Sequence, residues 1–287
     1  MEVKKLSQNA NGFPAVLARI PSPPRELYIL ANSPLEKLLQ RPRIAIVGSR
    51  KVSTYGKEIT SRFAGELARQ GVVIISGLAL GVDALAHRAA LEAGGLTIAV
   101  LPCSLERIYP ASHYKLAETI IAQGGALVSE YPPGSDTYKL NFIARNRLVS
   151  GLSDAILITE AAERSGTLHT ANFALQQGIE VLALPGNITS PTSHGTNNLI
   201  KNGATPVTDV ADVFHALGIQ PAAASVVVKG ATPEEQLLLD LIATGITDGA
   251  QLLAGSQLGI SIFNQTLTML EITSKVRPLG NNHWSLR

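Results

Sequence analysis

From Arg43 onward, short apolar runs alternate with Gly- or Ser-containing turns and then with stretches of helical period. Ile44–Val47 is the first run, and Ile59, Phe63 and Leu67 follow at four-residue spacing until Gly71. Val72–Ile75, Thr97–Leu101, Ala126–Ser129, Ala155–Thr159 and Glu180–Leu184 predict further strands, and Ala204–Val207 leads to a final helix. Asp83–Ala93, the segment holding Leu116, Ile120 and Ile121, residues 167–177 and Val210–Leu217 predict helices among and after them. Strands that are apolar throughout imply a sheet covered on both faces, hence a parallel one. The expected fold class is α/β, with a doubly wound, mainly parallel sheet over residues 43–218. Right-handed crossovers then bring every strand-to-helix turn to one edge of that sheet.

The flanks follow other rules. Residues 1–42 show no clear period; Pro14, Pro21, Pro23 and Pro24 remove backbone donors, and Leu27-Tyr28-Ile29-Leu30 supplies one short apolar run. This predicts an extended arm packed on the main domain, with one edge strand. Residues 219–231, including Pro221-Ala222-Ala223-Ala224-Ser225, have the composition of a linker. Beyond it, Thr232-Pro233-Glu234-Glu235 carries a cap, a proline at the first helical position and early carboxylates. Helices are expected there, at Asp248–Ala254 and at Ser261–Glu271, followed by a hairpin turned by Gly280-Asn281-Asn282. Residues 232–287 thus read as a small winged-helix domain.

The 287 residues suffice for a large apolar core, and 45% hydrophobic against 16% charged residues fits a globular α/β chain. A net charge of +2 is too mild to imply nucleic acid by itself, so any basic surface must be local. The single cysteine, Cys103, excludes an internal disulfide and a cysteine-rich zinc site, and a reducing compartment is the natural setting. Met1-Glu2-Val3-Lys4-Lys5 leads into no apolar signal core, and no run approaches the roughly 18 apolar residues of a membrane span. A cytoplasmic location without membrane contact is expected.

Candidate chemistry gathers on the predicted turn edge. Gly48-Ser49-Arg50 follows the first strand; glycine lets amides approach an anion, and arginine adds a planar fork matched to phosphate. A plain turn with a solvated arginine is the alternative. Ser76-Gly77-Leu78-Ala79-Leu80-Gly81-Val82-Asp83 is a second turn, whose Gly77/Gly81 spacing matches neither a dinucleotide fingerprint nor a P-loop, so no nucleotide cofactor is implied. Asp83 and His87, four apart, lack a third metal ligand nearby and read as a helix cap and a packed histidine. Lys139, Phe142, Arg145 and Arg147 mix cations with a ring able to stack on a base, a combination suited to single-stranded nucleic acid. Equally, Phe142 could be core and the arginines could pair with Glu130 or Glu160. Ser165-Gly166-Thr167 opens a helix and offers an anion site at its positive end. No nucleophile elbow, paired-carboxylate spacing or metal cluster emerges.

Taken in order, these turns resemble those of one family. Gly48-Ser49-Arg50, Ser76-Gly77-x-Ala79-x-Gly81-x-Asp83-x-x-Ala86-His87, Tyr109-Pro110, Ser129-Glu130, Phe142-x-x-Arg145-Asn146-Arg147, Ser165-Gly166-x-Leu168-x-Thr170-Ala171, Pro185-Gly186 and Asn198-Leu199-Ile200-x-x-Gly203-Ala204 are similar to the DNA-processing protein A (DprA/Smf) family of bacteria. The resemblance runs from about Phe13 to Val207. It implies an extended Rossmann-like domain that binds single-stranded DNA, forms a homodimer and helps load RecA recombinase on incoming strands in natural transformation, with no enzymatic activity. It also implies strand contacts from Arg50, Lys139 and Phe142. Two positions depart from the family pattern, Ile143 in place of proline and Ile179 in place of arginine. A rival class is the phosphoribohydrolase-like enzyme, whose related turn Gly-Gly-x-Gly-Thr-x-x-Glu ends in a working glutamate; here that place holds Thr170. A recombination scaffold acting through protein contacts is a third reading.

Overall fold

The computed structural model describes residues 3–220, 230–280 and 282–286. The chain divides into two compact units, Met1–Gln220 and Pro221–Arg287.

The first unit is built on a nine-stranded sheet among the described residues. Its strands are β1 (Lys4–Ser7), β2 (Glu26–Ala31), β3 (Arg43–Val47), β4 (Val73–Ser76), β5 (Thr97–Leu101), β6 (Ala126–Ser129), β7 (Ala155–Ile158), β8 (Glu180–Ala183) and β9 (Thr205–Pro206). The order across the sheet is β1-β2-β6-β5-β4-β3-β7-β8-β9. From β6 to β9 all neighbours are parallel. At the other end β2 pairs antiparallel with β6, and β1 pairs antiparallel with β2. The helices are α1 (Ala15–Ala18), α2 (Leu35–Leu39), α3 (Thr54–Arg69), α4 (Val82–Glu92), α5 (Tyr114–Ala122), α6 (Lys139–Gly151), α7 (Thr167–Gln176), α8 (His194–Lys201) and α9 (Val210–Ala216). The fold is thus the expected Rossmann-like α/β architecture with a mainly parallel sheet.

Alternation along the strands sorts side chains to two covered faces. Ala45 and Val47 of β3 face Leu17 of α1, Leu148 and Val149 of α6, and Ala171 and Ala174 of α7. Ile44 and Ile46 face Phe63 and Leu67 of α3, Ala86 and Ala90 of α4, and Val213 and Phe214 of α9. Every residue of β3, β4, β5, β6 and β7 is buried, which explains their nearly continuous apolar runs. Residues 4–39 supply two strands and two short helices to this unit, and β2 lies inside the sheet rather than at its edge.

The second unit holds α10 (Pro233–Ala243), α11 (Gly249–Ser256), α12 (Ile260–Ile272) and the antiparallel pair β10 (Val276–Gly280) and β11 (His283–Leu286). The Thr232 hydroxyl accepts from Glu235 N at 3.2 Å, so the predicted cap starts α10. Leu238, Leu239, Ile242, Leu252, Phe263, Leu267, Leu270 and Val276 form its core. Of the expected linker, residues 221–229 lie outside the described residues, as does Arg287. No described helix is long and apolar enough to cross a membrane.

Candidate nucleic-acid interface

Strand order creates the site. From β3 the chain builds outward through β4, β5 and β6 on one side, then returns to place β7, β8 and β9 on the other. The turns leaving β3 and β7 therefore diverge and leave a crevice at the carboxyl edge, where open α/β sheets bind ligands. A cavity of about 530 Å³ occupies it, lined by Gly48, Ser49 and Arg50 after β3, Gly77 after β4, and Ser165, Gly166 and Thr167 after β7. Phe142 and Arg145 of α6 line it as well.

The β3 turn is held by the backbone: Ser49 N donates to Glu160 O at 2.9 Å, and Val82 N donates to Ser49 O at 3.2 Å. A Cβ at Gly48 would stand 2.7 Å from Val82 Cγ2 and 2.9 Å from Glu160 O, so the turn fits only with glycine there. The Ser49 hydroxyl is used locally, donating to Lys51 O at 2.7 Å. Arg50 emerges exposed, its guanidinium carbon 5.5 Å from the centroid of the Phe142 ring. Tyr109 meets the same ring edge-on, with centroids 5.1 Å apart and planes at 78°. This cation and two rings make a sandwich at the mouth of the crevice, the geometry of cation–π and edge-to-face contact.

Below the mouth, the polar groups are turned inward on one another. Arg145 is only 4% exposed; it donates to Gly77 O at 2.6 Å and to Val100 O. Its guanidinium packs so closely under Gly77 that a Cβ there would overlap it. Asp83 is also buried and accepts from Gly77 N at 3.1 Å and Ala79 N at 3.3 Å. Burial pushes the Asp83 carboxyl up, and the Arg145 charge works against that push. Burial likewise lowers the Arg145 guanidinium, with Asp83 opposing. His87 is held neutral: its Nδ1 lies 2.6 Å from Thr97 Oγ1, whose own proton goes to Ile74 O at 2.6 Å, so Nδ1 carries the imidazole proton.

Arg145 is therefore a strut of the floor and not a free cation facing the ligand. Arg147 departs further from the expected groove. Residues two apart on an α-helix are separated by about 200° around its axis, so Arg145 and Arg147 of α6 cannot share a face. Arg147 points away, forming a paired contact with Glu130 through Nη1–Oε1 at 2.7 Å and Nη2–Oε2 at 2.5 Å, and donating to Ser22 O at 2.8 Å. It ties α6 to the end of β6 and to the N-terminal segment. Lys139 begins α6 and is exposed. It does not line the cavity, but stands three residues before Phe142 and thus on the same helical face.

Glu160 lies just beyond the end of β7 and is 2% exposed, accepting from Ser53 N at 3.0 Å and Thr192 Oγ1 at 3.1 Å. At the β7 turn, Ser165 Oγ donates to Thr167 Oγ1 at 2.9 Å and accepts from Thr167 N at 3.2 Å, while the Cβ position of Gly166 is open. Thr170 and Thr192 join the lining. Tyr109, absent from the expected set of contacts, had two signals available: its place in the Tyr109-Pro110 motif and its position in the long loop leaving β5, on the same carboxyl edge. No group of metal-ligating side chains occurs among the described residues.

Residues 4–218 match the family model of DNA recombination-mediator protein A. The chain belongs to this family. It is 49% identical over 175 residues to Protein Smf of Escherichia coli, a match covering 61% of this chain and 47% of that one. Against DNA processing protein DprA of Bacillus subtilis it is 38% identical, covering 71% of this chain and 68% of the relative. The chain thus spans about half the length of some curated relatives and two thirds of others. Among solved structures, DNA processing protein A of Streptococcus pneumoniae superposes with a TM-score of 0.69 at 36% identity, over 75% of this chain and 74% of that one. The protein of the same name from Helicobacter pylori, described for its single-stranded DNA binding mode, gives 0.66 at 36% identity, over 75% and 95%.

Proposed function

We propose that this chain binds single-stranded DNA at the carboxyl edge of its sheet and acts in DNA recombination. The observation that carries the reading is the exposed Arg50 guanidinium set over Phe142, with Tyr109 against the same ring, at the topological switch point. A ring that can stack on a base beside a cation that can meet its phosphate is the combination single strands require, and such stacking is worth about 1–3 kcal/mol per base. Lys139, one helical turn from Phe142, supplies a second cation. The Ser165–Thr167 turn at the start of α7 adds amides and hydroxyls suited to a phosphate.

Binding without chemistry is the favoured form. Asp83, the acid lining the crevice, is spent on the amides of Gly77 and Ala79, and Glu160 is spent on Ser53 and Thr192. Thr170 stands where a hydrolase of related shape would need its glutamate. The finer role we propose, which the family resemblance supports, is that as a homodimer the protein covers incoming strands and helps RecA assemble on them during natural transformation.

Gel-shift titration of labelled oligothymidylate tests the site. Arg50→Ala and Phe142→Ala are each expected to weaken binding by tenfold or more, and wild-type binding by both variants would overturn it. The mediator role is read from RecA filament formation on single strands, which the protein should accelerate.

A further inference from the structure

We infer that the strand leaves the crevice along a second basic groove that runs between α4 and α5, with Lys57 and Arg88 as phosphate contacts. This rests on the strand-binding reading above and extends it to residues outside the crevice.

The geometry is continuous. Arg50 lines not only the crevice but also an adjoining cavity of about 400 Å³, together with Lys57, Gly81, Ala84, Leu85, Arg88 and Ser112. Arg88 and Ser112 in turn line a further cavity of about 420 Å³ with Lys115. Helical spacing explains the path: Ala84, Leu85, Arg88, Leu91 and Glu92 form one stripe of α4, and Ser112, Lys115, Leu116 and Thr119 form the facing stripe at α5. Arg50 thus joins the crevice to this cavity and Arg88 joins it to the next, with Lys57 in the lining they share and Lys115 beyond Arg88.

The charge along this path is unbalanced. Arg50, Lys57 and Arg88 are exposed, and none of them forms an ion pair among the described residues, in contrast to Arg43, Arg62 and Arg147. The cavity they share is lined by no carboxylate, and the first acid met is Glu92, beyond Arg88. Three unpaired cations converging on one cleft repel one another, so an anion that reaches between them is favoured. Exposed Leu80 sits in the same cleft and gives an apolar surface for a sugar or base. A polyanion entering at Arg50 meets phosphate partners at successive steps, which fits the backbone of a single strand better than an isolated anion.

The test compares a short oligothymidylate, which fills only the crevice, with one several times longer, using the full chain. The Lys57→Ala/Arg88→Ala double variant is expected to lose about tenfold or more on the long strand and much less on the short one. Each phosphate contact contributes about 0.7 to the slope of log affinity against log salt for single strands, so the long-strand slope should fall by about 1.4. Wild-type affinity and slope on the long strand, with Arg50→Ala still defective, would overturn the groove and leave the crevice intact. Equal losses on both lengths would also overturn it, by placing the two cations in the field of the crevice itself. Wild-type binding by Arg50→Ala would instead remove the reading on which the groove rests.

Discussion

The rim and the floor of the crevice contain the same kinds of residue and use them in opposite ways. At the rim, Arg50 is exposed, lies over Phe142 and has no carboxylate partner among the described residues. On the floor, Arg145 is buried, its Nη1 donating to Gly77 O and Val100 O and its Nε to Asn146 Oδ1, beside the Asp83 charge. A buried guanidinium bonded to backbone carbonyls fixes the shape of the turns above it, whereas an exposed one retains its hydrogen-bonding capacity for a ligand. What an arginine does here is decided by what its donors already hold.

The comparison breaks most visibly if the floor is emptied. Arg145→Ala strands two backbone carbonyls and leaves Asp83 buried without its nearby countercharge, and should cost on the order of 3 kcal/mol or more. Thermal or urea unfolding measures this; a variant as stable as wild type would show that Arg145 is no strut.

Titration sharpens the same contrast. Burial, reinforced by the charges of His113 and Arg145, lowers the His87 pKa from 6.5 to about 3. A lowered folded-state value means stability that is full above about 6.5 and declines as the pH falls toward about 3, because the unfolded chain takes up the proton first. Asp83, raised by burial, contributes with the opposite sign, since the upward shift makes the folded chain take up that proton more readily than the unfolded one. Melting temperatures between these limits should fall less steeply in His87→Leu than in wild type, and parallel curves would contradict the assignment.

Smaller effects separate α6's two faces. Arg147→Ala breaks the paired contact with Glu130 and should cost about 1–3 kcal/mol while leaving DNA affinity per folded molecule nearly unchanged. A large affinity loss at unchanged stability would move Arg147 to the rim. Phe142→Ala should weaken binding with little change in its salt dependence, because stacking releases few ions. A slope change as large as that of Arg50→Ala would argue against stacking.

Much of the fold was legible because the parallel strands are nearly continuous apolar runs: Thr97–Leu101 and Ala126–Ser129 match their predicted limits. In the N-terminal segment Leu27–Leu30, the core of β2, stood out but was expected at the sheet edge, and β1 did not stand out. β1 is Lys-Lys-Leu-Ser, with one buried residue, and its pairing with β2 spans a proline-rich segment that carries no periodic signal. Within the site, Gly48, Arg50, Gly77 and Ser165–Thr167 stood out because strand-end turns need small or anion-binding residues, and strand order then brings them together. Arg145 and Arg147 could not be separated from Lys139 and Phe142 by composition; only the helical register of α6 sends one to the floor and the other to Glu130. Tyr109 was hidden because its approach to Phe142 depends on the path of an irregular loop.

The most direct test of the rim is a salt titration of single-strand affinity in wild type and Arg50→Ala, paired with their melting temperatures. The account predicts equal melting temperatures, at least tenfold weaker binding in the variant, and a log–log salt slope shallower by about 0.7. Equal affinity and equal slope in the two proteins would contradict it.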